Sequence, residues 1–205
     1  MVLKKKREMS NTINLKGKGL KSNISTLSMH PLKFAMWLFI VSIVMIFAAL
    51  TSAYIVRQAE GDWLIYDLPT SFLRNTIIIA LSSVSMHLSY LAAKKNNFKQ
   101  LKIFMFITAS LALAFLIGQF LSWGDLVAID VFFVGNPAGS FLYVLTGMHA
   151  FHLISGVIFI LIMLNAAFKL KVHSKNMVKI EMCTTYWHFL DGLWLYLYIF
   201  LLLNH

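Results

Sequence analysis

The stretch Glu181–Tyr198 reads EMCTTYWHFLDGLWLYLY, part of a membrane-length apolar run that nevertheless carries Glu181, His188 and Asp191. At 100° per residue, Glu181, Thr184, Thr185, His188, Asp191 and Gly192 fall within about a third of a helix circumference. Ionisable side chains in hydrocarbon are costly and normally face protein or a water-filled cavity. This helix therefore needs a partner for its polar face. Interhelical hydrogen-bonded packing is the favoured reading of that face, and direct chemistry is the alternative.

The rest of the chain has the composition to supply that partner. Of its 205 residues, 59% are hydrophobic and only 13% charged, and the mean hydropathy of +0.74 places it among membrane proteins. Apolar segments cover about residues 32–56, 72–93, 101–127, 138–168 and 180–203. Each is long enough for the ~20 residues that cross a bilayer core of ~30 Å. The fold class is therefore all-α: a polytopic bundle of five transmembrane helices over residues 32–205, preceded by a basic tail at 1–31. That tail lacks an apolar core followed by a small-residue cleavage site, so it reads as a solvated cytoplasmic arm rather than a secretory signal.

Charge in the connections alternates. Lys94, Lys95, Lys99 and Lys102 flank the second connection, and Lys169, Lys171, Lys175 and Lys179 the fourth. The first connection holds Glu60, Asp62 and Asp67, and the third is read as holding Asp125 and Asp130. With the tail included, 16 of the 18 lysines and arginines lie on one side. The positive-inside bias then puts the amino terminus in the cytoplasm and His205 outside. It also removes nucleic acid as a partner, because the net charge of +10 is what a cytoplasmic membrane face requires.

Polar residues inside the spans are sparse and patterned. Ser82, Ser85 and Ser89 form a small-residue stripe suited to close helix packing, with His87 off it. Gly118, Gln119 and Ser122 cluster in the third span, and Thr146, His149, His152 and Gly156 share a face of the fourth. The single Cys183 offers neither a disulfide framework nor a thiolate metal site. A haem held by two histidines would need His149 or His152 to face His188 across a cavity, an arrangement the pattern permits without demanding. A di-iron centre would need more carboxylates than Glu181 offers. No phosphate-binding glycine motif occurs. A proton relay through Glu181 and Asp191 lacks carboxylates in the first three spans to continue it. Residue pattern thus stops at a bundle with a polar seam between the fourth and fifth helices, made by Glu181, His188, Asp191, His149 and His152. A stand-alone transporter or a b-type haem protein with a site in that seam remains as the alternative.

Two motifs carry a resemblance. Glu181, Tyr186, Trp187, His188, Phe189, Asp191, Trp194, Leu195, Leu197 and Tyr198 match the final helix of subunit III of the haem–copper respiratory oxidases, which reads E-x4-Y-W-H-F-x-D-x-x-W-L-x-L-Y. Gly139, Ser140, Thr146, Gly147, His149, His152 and Gly156 match its preceding helix, with Ala150 where the family has glycine. The similarity reaches Leu38, Phe39, Ile40 and Ser42 in the first span and Gln119 in the third, and is that of the short, five-helix form. Ile43 stands where the family has a buried glutamate, and Ser122 where it has an acid, followed by Trp123.

The resemblance implies a subunit of a proton-pumping cytochrome c or quinol oxidase in a bacterial cytoplasmic (inner) membrane, itself without a catalytic or metal site. It implies haem and copper on partner subunits, structural phospholipid, and support of proton uptake and sustained turnover. Subunit I is then the main partner, with subunit II and a small subunit IV in the complex, and a respiratory supercomplex around it. The electron donor is chosen in those other subunits. Gly139, Thr146, Gly147, Gly156, Trp187, Trp194 and Gln119 become packing residues, and Glu181, His188, Asp191, His149 and His152 an intramembrane polar network.

Overall fold

The computed structural model describes residues 31–168 and 177–204. Among these residues are five α-helices and no strand: α1 Pro31–Ala59, α2 Thr70–Lys94, α3 Phe98–Ala128, α4 Pro137–Phe168 and α5 Val178–Leu203. Each is long and apolar enough to cross a membrane. Residues 1–30 of the tail, with Lys169, Lys171, Lys175 and His205, lie outside the described part. The chain divides after Ala35 into two compact units. Of the first, only the opening turn of α1 is described.

The helix boundaries follow from local chemistry. All three prolines sit at helix starts, Pro31 and Pro137 as first residues and Pro69 just before α2. A ring that fixes φ and lacks an N–H fits the first turn, where that N–H has no helical partner anyway. Between α2 and α3 only Lys95, Asn96 and Asn97 intervene. Asn96 takes a left-handed φ of 53°, which asparagine tolerates, and the Asn97 side chain accepts from the Gln100 amide at 3.2 Å to cap α3. So short a turn forces α2 and α3 into an antiparallel pair.

One boundary differs from the sequence reading. The charge pattern places Asp125 in the third connection, but α3 continues to Ala128 and holds it near its end. Its carboxylate accepts from the Ser71 hydroxyl on α2, and Ser71 in turn accepts from Arg74 at 2.8 Å. A polar side chain at the bilayer edge does not stop a helix, because the backbone bonds remain internal whichever solvent surrounds them.

Four of the helices close a ring: α2 packs on α3, α3 on α4, α4 on α5, and α5 returns to α2. The core inside it is apolar and close-packed, with Phe72, Ile79, Met86, Phe115, Leu145, Leu153, Leu190 and Trp194 fully buried. α1 joins from outside through side chains. Phe47 meets the His152 ring edge-on at 5.8 Å, and Tyr54 packs against Phe141 and Phe200. Tyr54 and Gln58 also donate to the Asn204 carbonyl at 2.7 and 3.0 Å, satisfying backbone where α5 ends. The outward surface carries Met45, Ile117, Phe120, Leu121, Phe151 and Ile162, all exposed, as a lipid-facing surface requires.

Candidate functional site: the polar interior of the helix ring

The α2–α5 contact is built from three matched hydrogen bonds. The Trp187 indole donates to the Ser82 hydroxyl at 3.1 Å, and the Trp194 indole to the Thr76 hydroxyl at 3.0 Å. His188 Nδ1 lies 2.7 Å from the Ser83 hydroxyl. From the Thr76–Trp194 bond to the Ser82–Trp187 bond the position rises by six on α2 and falls by seven on α5, so the two helices run antiparallel in one fixed register. Both indoles are fully buried, and each brings a large apolar ring with one donor that cannot be left unmade. Of the serine stripe of α2, Ser82 accepts from α5, Ser85 turns to the other neighbour and donates to the Phe104 carbonyl of α3 at 3.0 Å, and the buried Ser89 hydroxyl has no hydrogen-bond partner among the described residues.

The five residues read as one network have separate surroundings. His149 is completely buried, and neither ring nitrogen has a hydrogen-bond partner. Its ring lies 5.1 Å from that of Trp194 and 6.0 Å from that of Phe115. His152, one turn away, bonds through Nδ1 to its own helix at the Met148 carbonyl, 2.7 Å away, and meets Phe47 of α1. His188 pairs with Ser83 on α2 rather than with the α4 histidines. Asp191 is 4% exposed, and neither carboxyl oxygen has a hydrogen-bond partner among the described residues. Glu181 is half-buried in the first turn of α5. The three histidines thus meet α2, α1 and the aromatic interior instead of sharing one α4–α5 seam. The physical reason is that α5 lies between α4 and α2, and 100° of rotation per residue hands successive polar groups to different neighbours.

The packing residues occupy defined places. A Cβ on Gly156 would stand 2.8 Å from the Leu190 methyl and 3.2 Å from the Trp187 ring, so α4 and α5 approach there because the side chain is missing. A Cβ on Gly139 would meet the Phe132 carbonyl, where the connection before α4 folds back onto it. Gly147 faces Trp123 at van der Waals distance, and the Trp123 indole donates to the Thr146 hydroxyl at 3.1 Å. Gln119 is 1% exposed with neither amide atom bonded.

Sequence reasoning missed Thr76, Ser83, Asn75 and the donor role of Trp123. Asn75 is buried and donates to Ser122 at 3.1 Å, while Ser122 donates to the Gly118 carbonyl at 2.9 Å. A signal was present, since Asn75, Ser82 and Ser89 are spaced by sevens and so share one helix face. Among the described residues, no group of three or more His, Cys, Asp or Glu side chains gathers as a metal site. The chemistry this interior offers is donor–acceptor locking of helices.

Residues 66–204, more than half of the chain, match the family model for cytochrome c oxidase subunit III. The cytochrome bo(3) ubiquinol oxidase subunit 3 of Buchnera aphidicola from Schizaphis graminum is 28% identical over 176 residues, covering 83% of this chain and 93% of that protein. The cytochrome c oxidase subunit 3 of Synechocystis is 31% identical over 172 residues, 81% of this chain and 72% of that protein. That of Alkalihalophilus pseudofirmus is 33% identical over 124 residues, 60% of each chain. The matched residues include the indole, hydroxyl and glycine contacts that close the ring, and the chain belongs to the cytochrome c oxidase subunit III family.

Proposed function

We propose that this chain is the non-redox subunit III of a haem–copper terminal oxidase in a bacterial cytoplasmic membrane. It packs on catalytic subunit I, with subunit II in the same complex, holds phospholipid, and supports proton uptake and sustained turnover during reduction of oxygen to water. Haem and copper sit on the partner subunits. The observation that carries this reading is how the membrane histidines are engaged. His149 is enclosed by aromatic rings, His152 bonds its own backbone and His188 a serine, so each is used by a different neighbour. The relatives are named for both quinol and cytochrome c oxidases, which supports a donor choice made elsewhere in the complex.

A groove of about 540 Å³ supports the lipid part. Phe98, Ile103, Phe106, Ile107 and Phe168 line it, with Lys99 and Lys102 at its edge. The Lys102 ammonium stands 5.0 Å from the centre of the Phe168 ring. Aromatic and aliphatic walls suit acyl chains, and two ammonium groups suit a headgroup phosphate.

Removing the chain tests the reading. The haem and copper spectrum of the remaining oxidase should be unchanged, while oxygen consumption should fall or decay sooner during turnover. Stoichiometric loss of a haem or a copper would overturn it, because a histidine of this chain would then be a ligand.

The orientation proposed is amino terminus inside. Lys94, Lys95, Lys99, Lys102 and Lys179 gather at one end of the helices, and Asp62, Asp67 and Asp130 at the other. Reporter fusions at Lys95 should report cytoplasm, and those at Asp62 and Asp130 the opposite side. Reversal at two of the three sites would refute the orientation.

A further inference from the structure

Arg74 stands apart from the other cations. Lys94, Lys95, Lys99, Lys102 and Lys179 lie at the far end of the helices, and Arg57 is paired with Glu60 at 3.0 Å. Arg74 is exposed near the start of α2 and, among the described residues, makes no ion pair. Its guanidinium donates to the Ser71 hydroxyl at 2.8 Å, and Ser71 donates to Asp125, also exposed, near the end of α3. The hydroxyl holds a cation and an anion side by side without letting them close on each other. Beside Arg74 and Ser71 a pocket of about 380 Å³ lies between α2 and α3, with Ile78, Ala114, Ile117 and Leu121 as walls. The smallness of Ala114 and Gly118 leaves the space, and Asn75 closes the floor with its amide already bonded to Ser122 at 3.1 Å. Ile117 and Leu121 are exposed, so the pocket faces hydrocarbon. Along α3, Ala114 lies eleven residues and about 16 Å from Asp125. Charges at headgroup level above apolar walls at acyl depth match a phospholipid.

The two charges also select the headgroup. We propose that this pocket binds a phospholipid carrying a primary ammonium beside its phosphate, a phosphatidylethanolamine, with the phosphate on Arg74 and the ammonium on Asp125. A guanidinium presents paired donors to phosphate oxygens, and an ammonium presents three donors to a carboxylate. A headgroup of net negative charge would be repelled by Asp125, at an end of the helices that also carries Glu60, Asp62, Asp67 and Asp130. A choline headgroup brings positive charge but no hydrogen-bond donor. The site is separate from the groove edged by Lys99 and Lys102, which lies at the opposite end of α3. It requires only that the helices cross a bilayer, and is independent of the oxidase assignment.

The test uses the full chain, tagged and purified in mild detergent with the chains it retains. A phosphatidylethanolamine with a photoreactive acyl chain is the probe, and unlabelled lipids with ethanolamine, choline or glycerol headgroups compete with it. Peptide mapping should place adducts within residues 114–121, and the ethanolamine lipid should displace them best. Arg74→Gln should lower this labelling about fivefold, the effect of one interfacial cation, with Arg74→Lys restoring most of it. Asp125→Asn should keep the labelling but erase the preference for the ethanolamine over the glycerol headgroup. Equal displacement by all three lipids, or undiminished labelling of Arg74→Gln, would overturn the site. Should Arg74→Gln fail to accumulate, the wild-type competition and Asp125→Asn decide the matter. A photo-crosslinking side chain at Leu121, in the native membrane, reports the other occupants. A lipid adduct there supports the pocket, whereas a polypeptide adduct, from a second copy or another chain, overturns it.

Discussion

Replacing Trp194 with alanine should strip most of the chain from the membrane. Its ring stacks on Phe72 at 6.3 Å, meets Phe115 edge-on at 4.9 Å and lies 5.1 Å from His149, while its indole donates to Thr76. It therefore joins α2, α3, α4 and α5 at one level of the ring. Emptying a buried aromatic site costs about 3–5 kcal/mol, a large part of the ~5–15 kcal/mol that holds a folded chain together. Trp194→Phe separates the two contributions. It keeps most of the ring volume and loses the donor, and a hydrogen bond between membrane helices averages about 0.6 kcal/mol. Thr76 keeps its bond to the Phe72 carbonyl at 2.8 Å in either variant. Thermal unfolding in mild detergent should place Trp194→Phe near the wild type and Trp194→Ala far below it. Equal losses would mean that the hydrogen bond, not the packing, dominates.

Gly156→Leu should be nearly as damaging, for the opposite reason. The Leu190 methyl at 2.8 Å is the end of a flexible side chain and has room to turn away. The Trp187 ring at 3.2 and 3.3 Å does not, because its indole is held by Ser82. Even Gly156→Ala should therefore cost about 1 kcal/mol, and leucine about 3 kcal/mol, by forcing α4 away from α5. Separation of that pair should also break the adjacent bond between the Ser155 and Tyr186 hydroxyls, 2.7 Å apart. Gly192→Ala is the matched control, since nothing surrounds its Cβ position. Its melting temperature should equal or exceed that of the wild type, and a drop as large as that of Gly156→Ala would show that openness at the glycine does not decide the outcome.

The spans were legible because hydrocarbon imposes one demand on every turn of a crossing helix: enough apolar length and no unpaired backbone. The neighbour relations were not. Periodicity placed Glu181, His188 and Asp191 on one side of α5, and His149 with His152 on one side of α4, which led to a single seam between the two. In the ring, α5 turns that side partly to α2, so His188 finds Ser83, and His152 turns away to α1 and its own backbone. Which residues share a face is a property of one helix, whereas what lies opposite is a property of the assembly. Trp187 and Trp194 show the same limit. Their burial was foreseeable from size, but their acceptors Ser82 and Thr76 lie more than a hundred residues earlier. His87 lies off the serine stripe, and that displacement turns it outward.

The α2–α5 register also bears on how the chain is made. Its three bonds join residues 105 to 118 positions apart, so α2 enters the membrane long before α5 is synthesised. Serine and threonine tolerate that wait, because a hydroxyl can bond the carbonyl one turn back on its own helix, as Thr76 does to Phe72. An indole N–H has no such refuge within its helix. Asn75, the one amide buried on α2, is served by Ser122 on α3, the next helix to emerge. At the α2–α5 contact, the hydroxyls that can bond their own helix thus sit on the helix that waits, and the indole donors on the helix that arrives last.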